Sequence, residues 1–245
     1  MEGIEFKLGM ASFTLREFDL MEAAQMTKRV GLTHISLKSM HLPLQLEPRD
    51  LKISARKVRE LGLELYGCGV VYMSSEREVE QAFKYAQAAG MDTVIGVPEK
   101  ELLPLVEEKV RQSGLRLAIH NHGPGDERYP SPSDVYKAVQ DMDERIGLCL
   151  DVGHTKRLGE DPVLAVKEFA DRLHDVHIKD VNEGSEAGHA VPINRGVIDI
   201  PELLRTLIEI DYDGVLGLEY EENPEDPLPE IAESVGFMKG VLACQ

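Results

Sequence analysis

Two hydrophobic periods alternate along the 245 residues. Short runs such as GLTHISL (31–37), GLELYGC (62–68), GMDTVIGV (90–97) and GLRLAIH (114–120) carry apolar residues with strand-like spacing. Longer runs such as LMEAAQMTKRV after Asp19 and EREVEQAFKYAQAA after Ser75 have helical spacing behind an N-capping residue. Further helices are predicted after Asp50, after Pro98, and in SPSDVYKAVQDM, DPVLAVKEFADRL, IPELLRTLIEI and LPEIAESVGFMKGVL. Gly31, Gly62, Gly90 and Gly114 each stand where a left-handed residue closes a helix and the next strand begins.

Eight strand ends result, near Ser12, Lys38, Tyr72, Val97, His122, Asp151, Lys179 and Glu221, at intervals of 26, 34, 25, 25, 29, 28 and 42 residues. A βα unit takes about 30 residues. The pattern therefore predicts an α/β fold, a (β/α)₈ TIM barrel forming a single domain over 1–245. The alternative, an open doubly wound sheet, would call for a GxGxxG turn after the first strand, and LGMASFTLREF lacks one. The long last interval contains VNEGSEAGHAVPINRGV (181–197), too polar and Gly-rich for a helix, which reads as an extended loop on the active face.

Alternation along each strand sorts side chains into a helix-facing and an axis-facing set. Large apolar residues label the first set: Leu117 and Ile119, Leu148 and Leu150, Val176 and Ile178, Leu216 and Leu218. The axis-facing set then includes Lys38 on the second strand, His120 and His122 on the fifth, Cys149 and Asp151 on the sixth. Asp175, His177 and Lys179 follow on the seventh, and Glu219 and Glu221 on the eighth. Charge gathers at the C-terminal strand ends, where barrels of this kind hold their sites. His120, Asp151, His177 and Glu219 converge from four successive strands and make a shell for one divalent ion, Mn²⁺, Zn²⁺, Co²⁺ or Mg²⁺. Each residue taken singly also fits a structural role: Asp151 could cap the following segment, Glu219 could pair with Lys179, and one inward His could be a hydrogen-bonded core group. His34 and His174 read as structural or surface groups.

Charge sharpens this picture. The chain carries 27 Lys+Arg against 44 Asp+Glu, a net −17. Residues 1–122 hold 16 basic and 17 acidic groups, and residues 123–245 hold 11 and 27. Six of the eight histidines fall between His120 and His189, within or beside that acidic half. Such acidity disfavours nucleic acid as a partner, since phosphates need cationic neutralisation. No apolar run approaches the roughly 18 residues that span a bilayer, and MEGIEFKLGM lacks the pattern of a signal peptide. Cys68, Cys149 and Cys244, odd in number and far apart, point to reduced thiols and a cytoplasmic protein.

The segments AIHNHG (118–123), LDVGH (150–154), DVHIKD (175–180), NRGVIDI (194–200) and LEYE (218–221) resemble the xylose isomerase-like barrel superfamily. More narrowly they are similar to its sugar phosphate isomerase/epimerase branch, which includes ketose 3-epimerases, hydroxypyruvate isomerases and inosose dehydratases. The resemblance covers essentially the whole chain. It implies a metal held by a Glu ending the fifth strand, an Asp ending the sixth, a His on the seventh and a Glu on the eighth. Asp151, His177 and Glu219 match the last three, while His120 stands where the family motif has Glu. Of the two glutamates that epimerases of the branch use as acid and base, only Glu219 is present. The resemblance also implies substrate contacts from His154, Lys179 and Arg195, and homo-oligomers paired through barrel faces.

The reaction expected is proton abstraction beside a carbonyl of a sugar-like ketose, giving an enediolate, by an isomerase or epimerase. Glu219 or one of His120 and His122 would move the proton, and Lys38 and Glu221 face the substrate with Lys179. A dehydratase or lyase on a keto-sugar or keto-inositol shares the same intermediate and stays open. A non-catalytic sugar-binding barrel is a further alternative. An endonuclease-like phosphodiesterase would need a trinuclear zinc shell with further histidines on the second and third strands, but His34 is too early on its strand, His41 lies past the second strand, and the third strand has none. No Gly-rich phosphate cradle follows the seventh or eighth strand, so an unphosphorylated sugar or sugar acid is expected.

Overall fold

The computed structural model describes residues 6–244. Residues 1–5 and 245, which include the ends of the expected domain and half of the segment read for a leader, lie outside the described residues. Strands β1 (Lys7–Ala11), β2 (His34–Leu37), β3 (Glu64–Met73), β4 (Thr93–Pro98), β5 (Arg116–His120), β6 (Ile146–Asp151) and β7 (Leu173–Ile178) are followed by the hairpin strands β8 (Asp180–Val181) and β9 (Ala190–Val191), and by β10 (Val215–Leu218). The order β1-β10-β7-β6-β5-β4-β3-β2 closes a parallel barrel, with β8 and β9 a separate antiparallel pair. The expected (β/α)₈ TIM barrel is the observed fold.

Around it run α1 (Leu20–Arg29), α2 (Pro48–Glu60), α3 (Glu76–Ala89), α4 (Leu103–Ser113), α5 (Pro132–Val139), α6 (Val152–Arg157), α7 (Pro162–Glu168), α8 (Ile200–Glu209) and α9 (Leu228–Leu242). Asp19 and Ser75 cap α1 and α3 as their positions imply, Asp19 in a capping box with Glu22. Gly90 and Gly114 close α3 and α4 in the left-handed conformation, with φ of 66° and 74°. Two starts differ from expectation. Helix α2 begins at Pro48, ahead of Asp50, because proline is preorganised for the first helical position. Before α4, Lys100–Leu102 form a 3₁₀ turn, and Pro104 enters the first turn of the α-helix, where no N–H is required of it.

Leu117, Ile119, Leu148, Leu150, Val176 and Leu216 are fully buried in the apolar layer, as the alternation requires. Their opposite neighbours fill the barrel axis. There Gly217 leaves space for the Tyr66 hydroxyl and the His177 ring, which would lie 3.3 and 3.5 Å from a Cβ at that position. The 181–197 segment is non-helical as expected, but it is ordered around Asp180 and the β8–β9 hairpin.

Candidate active site

The last residues of β5 and β6, the penultimate residue of β7 and the residue after β10 meet at the C-terminal mouth. His120, Asp151, His177 and Glu219 each place one ligand atom there, all within 4.8 Å of one another. His120 Nε2 lies 3.1 Å from His177 Nδ1 and 3.4 Å from Asp151 Oδ2, and His177 Nδ1 lies 3.3 Å from Glu219 Oε2. A tetrahedral ion with bonds near 2.1 Å separates its ligands by about 3.4 Å. The spacings and the mixed N/O donor set fit a divalent ion. Asp151 Oδ2 is buried and accepts no hydrogen bond, although an ammonium stands 3.0 Å away.

That ammonium belongs to Lys179. It lies 3.0 Å from Asp151 Oδ2 and 2.9 Å from Glu219 Oε2, and it also pairs with Glu221. Gly153 makes this possible, since a Cβ there would overlap the Lys179 stem. Both structural roles raised from the sequence are realised alongside the cluster. Asp151 Oδ1 accepts the His154 N–H at 2.7 Å and caps α6, while Glu219 pairs with Lys179.

Residues 2–241 match the family model described as xylose isomerase-like TIM barrel. The chain belongs to the xylose isomerase-like TIM barrel family. Inosose dehydratase of Lacticaseibacillus casei is 25% identical over 137 residues, 50% of this chain and 46% of that protein. The chain thus spans about half the length of that curated relative. Among solved structures, an L-ribulose 3-epimerase superposes with a TM-score of 0.79 at 18% identity, covering 98% of this chain and 95% of that one. The probable 3-DHS dehydratase AsbF of Bacillus anthracis does so with 0.79 at 14%, covering 96% and 99%.

Within this xylose isomerase-like barrel, the other predicted residues divide. His122 sits above the cluster, its ring 4.5 Å from that of His120 and stacked on Tyr72 at 5.6 Å. The Tyr72 hydroxyl is 3.1 Å from His122 Nε2. His154, Lys179 and Glu221 line a crevice of about 150 Å³ together with His189 of the 181–197 loop. Lys38 is half-buried, with its ammonium 4.3 Å over the Phe13 ring. Arg195 is not brought to the site. Its guanidinium pairs in bidentate fashion with Glu233, at 2.6 and 2.9 Å, on the exposed surface. The NRG segment turns this side chain towards α9 instead. A larger groove of about 520 Å³ lies outside the barrel between α2 and α3 and holds none of these groups.

Burial pushes the His120, His122 and His154 imidazoles down, so they are neutral near pH 7. For Glu219, burial works towards protonation, but Lys179 and His177 outweigh it and hold the carboxyl well below its usual range. Burial likewise opposes the charge on Lys179. Asp151, Glu219 and Glu221 overcome it and raise the ammonium well above its ordinary value.

Three residues were missed from sequence. Asn121 fastens β5 to β6, accepting the Asp151 N–H at 2.9 Å and donating to Thr155 Oγ1 at 3.3 Å. Its signal was an amide in the apolar phase of β5. Tyr72 and Asp180 gave weaker signals, because their partners are distant in the chain or lie in backbone.

Proposed function

We propose that this barrel is a divalent-metal-dependent isomerase or epimerase acting on a sugar-like ketose through an enediolate. The observation that carries the reading is the four-donor cluster of His120, Asp151, His177 and Glu219 at the barrel mouth, with the spacing of a coordination shell. These residues would hold Mn²⁺, Zn²⁺, Co²⁺ or Mg²⁺. When bound, the ion supplies Lewis-acid stabilisation of negative charge developing on the substrate oxygens.

The remaining steps belong to the chain. Glu219, ionised by its neighbours, accepts the proton from carbon. His122, neutral and 24% exposed, returns or relays it from the solvent side. Lys179, fixed by three carboxylates, donates a hydrogen bond to a substrate oxyanion. Lys38, His154 and Glu221 bind hydroxyl groups around the rim. Arg195 has no part in this proposal, given its pairing with Glu233. The unpaired thiols of Cys68, Cys149 and Cys244 support a cytoplasmic setting. Among the described residues no helix is long and apolar enough to cross a membrane.

A second reading, a dehydratase on a keto-sugar or keto-inositol, is favoured by two observations. His120 replaces the glutamate of the epimerase acid–base pair, and the relatives include proteins named as inosose and 3-DHS dehydratases. One experiment separates the readings. Metal content is measured by mass spectrometry on wild type and His120→Glu, followed by solvent-deuterium incorporation into a ketose panel. Deuterium entering at carbon without loss of water supports the isomerase or epimerase. Loss of water supports the dehydratase, and absence of bound divalent metal at neutral pH overturns both.

A further inference from the structure

His177 turns Nδ1 towards the cluster, and its other nitrogen, Nε2, is buried with no hydrogen-bond partner. The group facing Nε2 is Asp175, whose Oδ2 stands 3.7 Å away. Both residues are on β7, two positions apart, so they project to the same side of the sheet. Asp175 is fully buried in the barrel axis. Its side-chain donors are weak: the Tyr66 hydroxyl at a long 3.4 Å from Oδ1 and the Cys149 thiol, a poor donor, at 3.5 Å from Oδ2. A carboxylate in so dry a place carries a desolvation cost that an apolar residue would avoid.

In the neutral ring that a metal would need, two carboxylates compete for the single proton of His177. Glu219, 3.3 Å from Nδ1, draws it to the nitrogen that a metal would need. Asp175 draws it to Nε2 and leaves the Nδ1 lone pair free. We infer that Asp175 is a positioning residue for the metal centre, accepting the Nε2–H of His177 and fixing the tautomer in which Nδ1 can ligate a divalent ion. Carboxylates behind ligating histidines commonly act this way, and among the described residues no other carboxylate is paired with Nε2 within 4 Å. The inference rests on the metal reading proposed above.

The test titrates Co²⁺ and Zn²⁺ into metal-stripped wild type and Asp175→Leu, which has no acceptor for the Nε2–H, in competition with a chelator. Thermal unfolding in excess chelator reports whether the variant is folded. The expected result is a Kd raised by about 10–100-fold in a folded variant. An unchanged Kd overturns the role of Asp175 and leaves the metal reading standing, whereas a wild type that binds neither ion overturns both. A second measurement needs no variant. Nitrogen-15 NMR of the histidine rings in metal-stripped wild type at pH 9 is expected to place the His177 proton on Nε2, and a proton on Nδ1 overturns the inference.

Discussion

The Lys179 ammonium lies 2.9 Å from Glu219 Oε2, the same oxygen that stands 3.3 Å from His177 Nδ1. An internal cation thus shares an oxygen with the proposed metal shell, and at Asp151 Oδ2 the arrangement repeats. Lys179 balances the carboxylates without an ion and opposes the ion when it arrives. Lys179→Met should therefore cost about 3–5 kcal/mol in chelator, the usual penalty for stranding buried charge. Saturating divalent metal should recover more of the melting temperature in the variant than it adds to wild type. Equal metal-induced shifts in the two proteins would contradict this account.

Asp151 uses its two oxygens differently, one capping α6 and the other facing His120 and Lys179. Asparagine can keep the cap but not the charge. Asp151→Asn is expected to lose most metal affinity while forming α6 normally. Asp151→Ala should lose the cap as well, adding about 1 kcal/mol of destabilisation. Metal titration beside chemical denaturation of the two variants checks the division. If the alanine variant is the more stable, the cap is not contributing.

The barrel was legible because its signals are local: glycine-closed helices, capped starts and strand alternation all repeat about every 30 residues. Alternation also placed His120, Asp151, His177 and Glu219 together, since period two decides which side chains meet on the axis. Arg195 lies in a loop, where no periodicity fixes side-chain direction, and Glu233 on α9 pairs with it there. Asn121 and Tyr72 were missed for a related reason. Their roles depend on Asp151, Thr155 and His122, which only the closed barrel brings near.

Arg195→Ala tests whether this side chain contacts substrate. The pair with Glu233 is solvent-exposed, with 63% and 41% of the side chains accessible, and exposed pairs contribute little. Melting temperature, metal affinity and KM for any substrate found should all match wild type. A KM raised tenfold would show that the loop carries Arg195 into the site during turnover.

His174 makes stability depend on acid. Burial, helped by Arg116, pushes its imidazole down from 6.5 to about 4, and its Nε2 contacts the Glu144 carbonyl at 2.9 Å. The unfolded chain therefore binds the proton more readily. The stabilisation is present above pH 6.5 and is lost as pH falls towards 4. His174→Gln can still donate to Glu144 yet cannot titrate. Between pH 7 and pH 5 wild type should lose about 1–2 kcal/mol more than the variant. Urea denaturation at the two pH values measures the difference, and parallel losses would assign the acid sensitivity elsewhere.

Asp180 organises the loop beside the site. Its carboxylate accepts four backbone N–H groups: Val181 at 2.9 Å and Ile198 at 3.2 Å on Oδ1, Asn194 at 3.0 Å and Gly196 at 2.9 Å on Oδ2. Gly196 has to be small, because a Cβ would overlap the carboxylate. With both oxygens fully engaged, asparagine is a poor substitute. Its NH₂ would face two N–H donors, either the buried pair of Val181 and Ile198 or the part-buried pair of Asn194 and Gly196, and leave them unsatisfied. Asp180→Asn is therefore expected to destabilise by about 3 kcal/mol, close to Asp180→Ala, and to open residues 182–197 to limited proteolysis. Because this loop supplies His189 to the crevice that Lys179 and Glu221 line, substrate affinity should fall with loop order, while metal affinity should hold. An Asp180→Asn protein with wild-type melting temperature and protease resistance would show that hydrophobic contacts, rather than this carboxylate, hold the loop.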